Sequence, residues 1–132
     1  MNQPKPSKKE WDMFDHMQFK VKDLPATRRF YTVALAPLGF GPPYEGDGVI
    51  GFGPKGAIAL WLRQGNAGGP VHIAFAAKDR AAVRAFNAAA MAAGGQDNGG
   101  PGLRPNYAPN YYAAFVKDPD GNNIEAVCYR EE

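Results

Sequence analysis

A displacement of 56 residues lays one half of this chain on the other, with His16 on His72, Phe19 on Phe75, Lys22 on Lys78, Asp23 on Asp79, Ala26 on Ala82, Arg28 on Arg84, Phe30 on Phe86 and Gly39 on Gly95. An internal period of this length means two copies of one unit that bury their faces against each other. In the first copy, Phe14 to Val21 alternates as a strand and Asp23 stands as the N-cap of an amphipathic helix running to about Leu35. Pro37 and Gly39 end that helix, and Phe40 to Tyr44, Gly48 to Phe52 and Ala57 to Leu62 read as three short strands. The second copy repeats the order. Val71 to Ala77 is a strand, Asp79 caps a helix from Arg80 to about Ala93, and Gly94 and Gly95 stop it before three more strands. The predicted unit is βαβββ, twice. That is an α+β domain over residues 11–132, with modules at about 14–64 and 70–130 behind a flexible arm at 1–10.

The last two strands form a hairpin around Asp118-Pro119-Asp120-Gly121, where Pro fixes φ and Gly is free to take a positive one. On the returning strand Asn123, Glu125, Val127 and Tyr129 share a face, so Glu125 sits mid-strand among mostly apolar neighbours. A carboxylate there is costly unless a cation or a hydrogen-bond donor meets it. The repeat also puts His16 and His72, the chain's two histidines, at equivalent points of equivalent strands. Aligning the closing strands lays Ile58-Ala59-Leu60-Trp61 on Ile124-Glu125-Ala126-Val127, which makes Ala59 the mate of Glu125.

Composition narrows the field of functions. The net charge of +2 resides in Lys5, Lys8, Lys9 and Glu10 of the arm, while the body is balanced, so no basic stripe supports nucleic-acid binding. A single cysteine, Cys128, excludes an internal disulfide and fits a reducing compartment. The polar first residues carry no export signal and no run is apolar enough for a membrane span, so the expected location is cytoplasmic. Gly51 to Gly56 spells GxGxxG, but Pro54 interrupts it and no helix follows, which excludes a phosphate loop.

A duplicated βαβββ unit with FDHMQFKVKDLPATRRFY at 14–31, VHIAFAAKDRAAVRAF at 71–86 and FVKDPDGNNIEAV at 115–127 resembles the vicinal oxygen chelate superfamily. That superfamily includes glyoxalase I, the extradiol dioxygenases, and the fosfomycin- and bleomycin-resistance proteins. The resemblance implies curved mixed sheets forming a cup, a divalent metal held by His16, His72 and Glu125, and pairing as a homodimer. It leaves the metal open among Zn, Fe, Mn, Ni and Mg. The fourth ligand position falls on Ala59. Asn106 and Ala108 stand where related chains carry histidines, so no catalytic base is identified. The implied function is a small metal-dependent enzyme, a lyase, isomerase or ring-cleavage catalyst, that binds its substrate through adjacent oxygens. The alternative is a non-enzymatic binder of a small molecule or antibiotic, of the bleomycin-resistance type.

Two imidazoles and a carboxylate suit a divalent first-row metal and leave coordination positions open. By strand parity Trp61 is expected to face the cup, and Tyr112 is expected to face it in preference to Tyr111, leaving Phe115 against a helix. Arg104 and Tyr107 complete the candidate substrate contacts, and the Gly-rich run 94–102 is a candidate lid.

Overall fold

The computed structural model describes residues 13, 16–54, 57–66 and 71–131. The arm at 1–10, Trp11 and Phe14 lie outside the described residues. Each copy of the repeat builds one sheet with one helix across it. In the first, strands β1 (Met17–Val21), β2 (Tyr44–Gly46), β3 (Val49–Phe52) and β4 (Leu60–Gln64) are ordered β1-β4-β3-β2, with β1 parallel to β4. The helix α1 (Leu24–Leu35) opens on Asp23, whose side chain accepts from the Ala26 amide at 3.0 Å. A 3-10 turn, Ala36–Leu38, follows it and closes on Gly39 at φ 84, a left-handed conformation that suits glycine.

In the second copy, β5 (His72–Ala76), β6 (Gln96–Asp97), β7 (Gly102–Leu103), β8 (Tyr112–Lys117) and β9 (Asn123–Cys128) form the order β5-β9-β8-β6, with β7 also on β8. Its helix α2 (Arg80–Ala92) is capped by Asp79, which accepts from the Ala82 amide at 2.8 Å. The strand expected before the hairpin is thus split into two short pairings. Phe40 to Pro43 is not a strand either: it crosses a cis Gly41-Pro42 bond, and strand pairing starts at Tyr44.

The strand register corrects the alignment of the closing strands. The repeat mates Met17 and Ile73 pair with Leu60 and Ile124, so Leu60 corresponds to Ile124 and Trp61 to Glu125. Ala59 is two residues out of step for that role. The sequence alignment matched apolar letters, whereas the register follows the parallel ladder.

One shared core holds the inner faces of both sheets: Val21, Ile50, Phe52, Leu60 and Leu62 from the first, and Ile73, Phe75, Ala114, Val116, Ile124, Ala126 and Cys128 from the second. The two helices pack against each other within it, contributing Phe30, Tyr31, Leu35, Val83 and Phe86. Each of these large side chains, fully buried, contributes roughly 1.5–3 kcal/mol. Both sheets turn their helix-covered faces toward this core, and Trp61 in the first and Glu125 in the second lie on the opposite faces.

Candidate active site

The open face of the second sheet is set by the parity of β9 and β8. Glu125 lies opposite Phe115 and beside Ala74, while Ile124, Ala126 and Cys128 point into the core. Glu125 is only 1% exposed, yet it faces away from the helix. His72, diagonal to it on the parallel neighbour β5, places Nε2 3.0 Å from Glu125 Oε1. The other ring nitrogen, Nδ1, lies 3.0 Å from the Asn123 carbonyl oxygen. A carbonyl only accepts, so Nδ1 carries a proton and donates it, and Nε2 is the nitrogen that faces the carboxylate. A ring nitrogen and a carboxylate oxygen at that distance share a proton or a cation.

The second oxygen, Glu125 Oε2, accepts a short hydrogen bond from the Tyr111 hydroxyl. Burial, and next the bond to Glu125, push the Tyr111 phenol well above its usual range. Tyr111 stands in a row with Tyr107 and Tyr129, edge to face at 5.0 and 5.3 Å. Phe115 lies on the same face, stacked on His72 with centroids 6.4 Å apart.

Tyr112 is on the opposite face, a correction to the sequence reading. Its ring lies under the guanidinium carbons of Arg80 and Arg84, at 4.9 and 6.0 Å, against α2. The residue that meets Glu125 is Tyr111, and Phe115 is the one that faces the site. A signal for this exists in the sequence: Ala114 and Val116 match the wholly apolar face of β9, whereas Tyr111 and Lys117 match the face carrying Asn123 and Glu125. Arg104 is also differently employed than expected. Its Nη1 and Nη2 donate to the Gly102 and Gly100 carbonyls at 2.8 and 2.9 Å, and its guanidinium lies 5.2 Å from the Phe115 centroid. The Gly-rich loop is thereby tied down over β8, with the Phe115 amide donating to the Gly99 carbonyl.

His16 immediately precedes β1 of the other sheet, is exposed, and adjoins Ala59, whose carbonyl accepts from the Met17 amide at 2.7 Å. Trp61 lies on that sheet's open face, edge to face with Tyr44 at 5.8 Å. Thus His16 and Trp61 hold the places in the first sheet that His72 and Glu125 hold in the second. Among the described residues, no three His, Cys, Asp or Glu side chains gather closely enough to share an ion. Grooves of about 380 Å³ by Arg28, Val33 and Ala93 and about 250 Å³ by Lys78, Val127 and Tyr129 are lined by neither His72 nor Glu125.

Residues 13–126 match the family model of the glyoxalase/bleomycin resistance protein/dioxygenase superfamily. The chain belongs to that superfamily. It is similar to the crystal structure of a glyoxalase/bleomycin resistance protein from Albidiferax ferrireducens T118, with TM-score 0.75 and 30% identity over 86% of this chain and 97% of that one. A lactoylglutathione lyase from Agrobacterium tumefaciens shares the fold at TM-score 0.62 and 21% identity, over 86% of this chain and 91% of the other. So does the fosfomycin resistance protein FosX from Mesorhizobium loti, at TM-score 0.66 and 18% identity over 89% and 92%. No curated protein sequence matches the chain. Among the described residues no helix is long and apolar enough to cross a membrane.

Proposed function

We propose that this superfamily member is a cytoplasmic, metal-dependent enzyme acting on a small molecule with two adjacent oxygens, and that it works as a homodimer. The observation carrying this reading is the His72 ring, its Nδ1 donating to the Asn123 carbonyl and its Nε2 directed at a buried carboxylate oxygen 3.0 Å away. Orientation of an imidazole by a backbone carbonyl is a common support for a metal-ligating histidine. The donor set of nitrogen and carboxylate oxygen fits a divalent first-row ion, with His72 and Glu125 holding it from one side. When bound, such an ion supplies Lewis-acid or redox chemistry to a coordinated substrate.

His16 is the third ligand in this reading, and it comes from a second copy. Trp61 lies on the face of the first sheet turned from the shared core, and His72 and Glu125 lie on the corresponding face of the second, so in this reading the first sheet of one copy covers the second sheet of its partner. Trp61 then stands across from the His72 and Glu125 pair, where a fourth ligand would be, and its indole closes the chamber without occupying a coordination position. Tyr107, 60% exposed, and Phe115 provide flat walls for the substrate.

Elemental analysis of untagged protein and of His72→Ala tests the reading. About one equivalent of a transition metal per chain is expected in the wild type and almost none in the variant. Full occupancy in His72→Ala overturns the assignment. The tyrosine row favours a second reading, a binder of an aromatic or cationic small molecule, for which ligand affinity would be indifferent to chelator and to His72→Ala.

A further inference from the structure

The two oxygens of Glu125 are engaged by different groups. Oε1 faces His72 Nε2, while Oε2 accepts the Tyr111 hydroxyl proton. Tyr111 is itself held, because Tyr107 and Tyr129 pack edge to face on its ring. Register fixes it further: Tyr111 continues β8 on the face of Phe115, and its amide and carbonyl are bonded to the Ala108 carbonyl and the Arg104 amide. Its hydroxyl is therefore a placed donor, and it is aimed at the carboxylate oxygen that His72 does not face.

We infer that Tyr111 is a positioning residue that keeps Glu125 a one-oxygen ligand. This rests on the metal-centred reading above. A carboxylate can meet a divalent ion with one oxygen or with both. A hydrogen bond to Oε2 fixes the carboxylate plane and lowers the electron density of that oxygen, so Oε1 alone is presented beside His72. Chelation by both oxygens would consume a position that a two-oxygen substrate needs. Tyr111 thereby acts on substrate access through Glu125, without touching the ion.

The probe is Mn(II), with the full-length wild type, Tyr111→Phe and Tyr129→Phe. Phenylalanine at 111 keeps the ring and its two edge contacts and removes only the donor. The readout is water-proton relaxation per bound Mn(II). Tyr111→Phe is expected to lose the contribution of one coordinated water as Oε2 swings onto the ion, while Tyr129→Phe matches the wild type. A second measurement needs no variant of Tyr111: the infrared change on loading wild type with Mn(II), referenced to Glu125→Gln, is expected to show the widely separated carboxylate stretches of one-oxygen ligation. Unchanged relaxation in Tyr111→Phe, or closely spaced stretches in the wild type, overturns the role of Tyr111 and leaves the metal site standing. Failure of the wild type to bind Mn(II), Zn(II) or Fe(II) overturns both.

Discussion

The Tyr31 hydroxyl lies 2.7 Å from Asp118 Oδ2, a buried hydrogen bond that ties the helix of the first module to the hairpin turn of the second. Asp118 also accepts from the Asp120 and Asn122 amides and from Asn122 Nδ2, at 2.8–2.9 Å. One carboxylate thus sets the turn and holds the modules together. Tyr31→Phe removes a bond to a charged acceptor and is expected to lower the unfolding free energy by about 1.5–3 kcal/mol. A urea titration with unchanged slope would show it, and a loss within error would mean the modules are held by apolar packing alone.

The same pair gives the protein an alkaline limit. Burial first, and then the nearby Asp118 charge, raise the Tyr31 phenol well above its usual range. A group whose folded pKa is raised contributes stability that is complete below its unfolded value, about 10 for tyrosine, and lost as pH rises toward the folded value. Urea midpoints are therefore expected to fall above about pH 10, and Tyr31→Phe should fall less steeply. Parallel slopes in the two proteins would remove Tyr31 from the account.

Gly39 and Gly95 are repeat mates with different reasons to be glycine. Gly39 has open space but a positive φ, whereas a Cβ on Gly95 would run into Val116 and stand 2.9 Å from both the Ala90 carbonyl oxygen and the Phe30 ring. The left-handed residue after α2 is Gly94, at φ 98. Gly95→Ala is expected to cost about 1–3 kcal/mol by overpacking at the contact between the modules. Gly100→Ala, with nothing within 4 Å, is the control and should leave thermal stability unchanged.

The repeat made the fold legible, because periodicity, caps and glycine stops are local and occur twice. Helix α1 begins and ends where its Asp23 cap and its apolar spacing place it. Glu125 was legible as a carboxylate in need of partners, and the structure supplies His72 and Tyr111. What sequence could not carry was register across space. The choice between Tyr111 and Tyr112 depends on how β8 pairs with β9, and the correspondence of Trp61 with Glu125 depends on the parallel ladders. The bond from Tyr31 to Asp118 joins residues 87 positions apart, so Asp118 read only as a turn residue.

Arg104 closes the Gly-rich loop by donating to two of its carbonyls while lying over Phe115. Arg104→Ala is expected to speed amide hydrogen exchange across residues 98–103 several-fold, with little change in β9 or the helices. Arg104→Lys should resemble the alanine variant, since an ammonium cannot bridge both carbonyls with the planar fork of a guanidinium. Exchange as slow as in the wild type would mean that the β7 pairing holds the loop unaided.

A site shared between copies makes a prediction that a site within one chain does not. His16 belongs to one open face and the His72 and Glu125 pair to the other, so His16→Ala and His72→Ala should each abolish metal binding when purified alone. Co-expressed with separable tags and isolated as mixed pairs, they leave a single intact site, formed by His16 of the His72→Ala chain with His72 and Glu125 of the His16→Ala chain. The other site of the pair lacks both histidines. Metal content should therefore return to about one equivalent per mixed pair. If each chain built its own site, every site in the mixture would lack one histidine and the metal content would stay near zero.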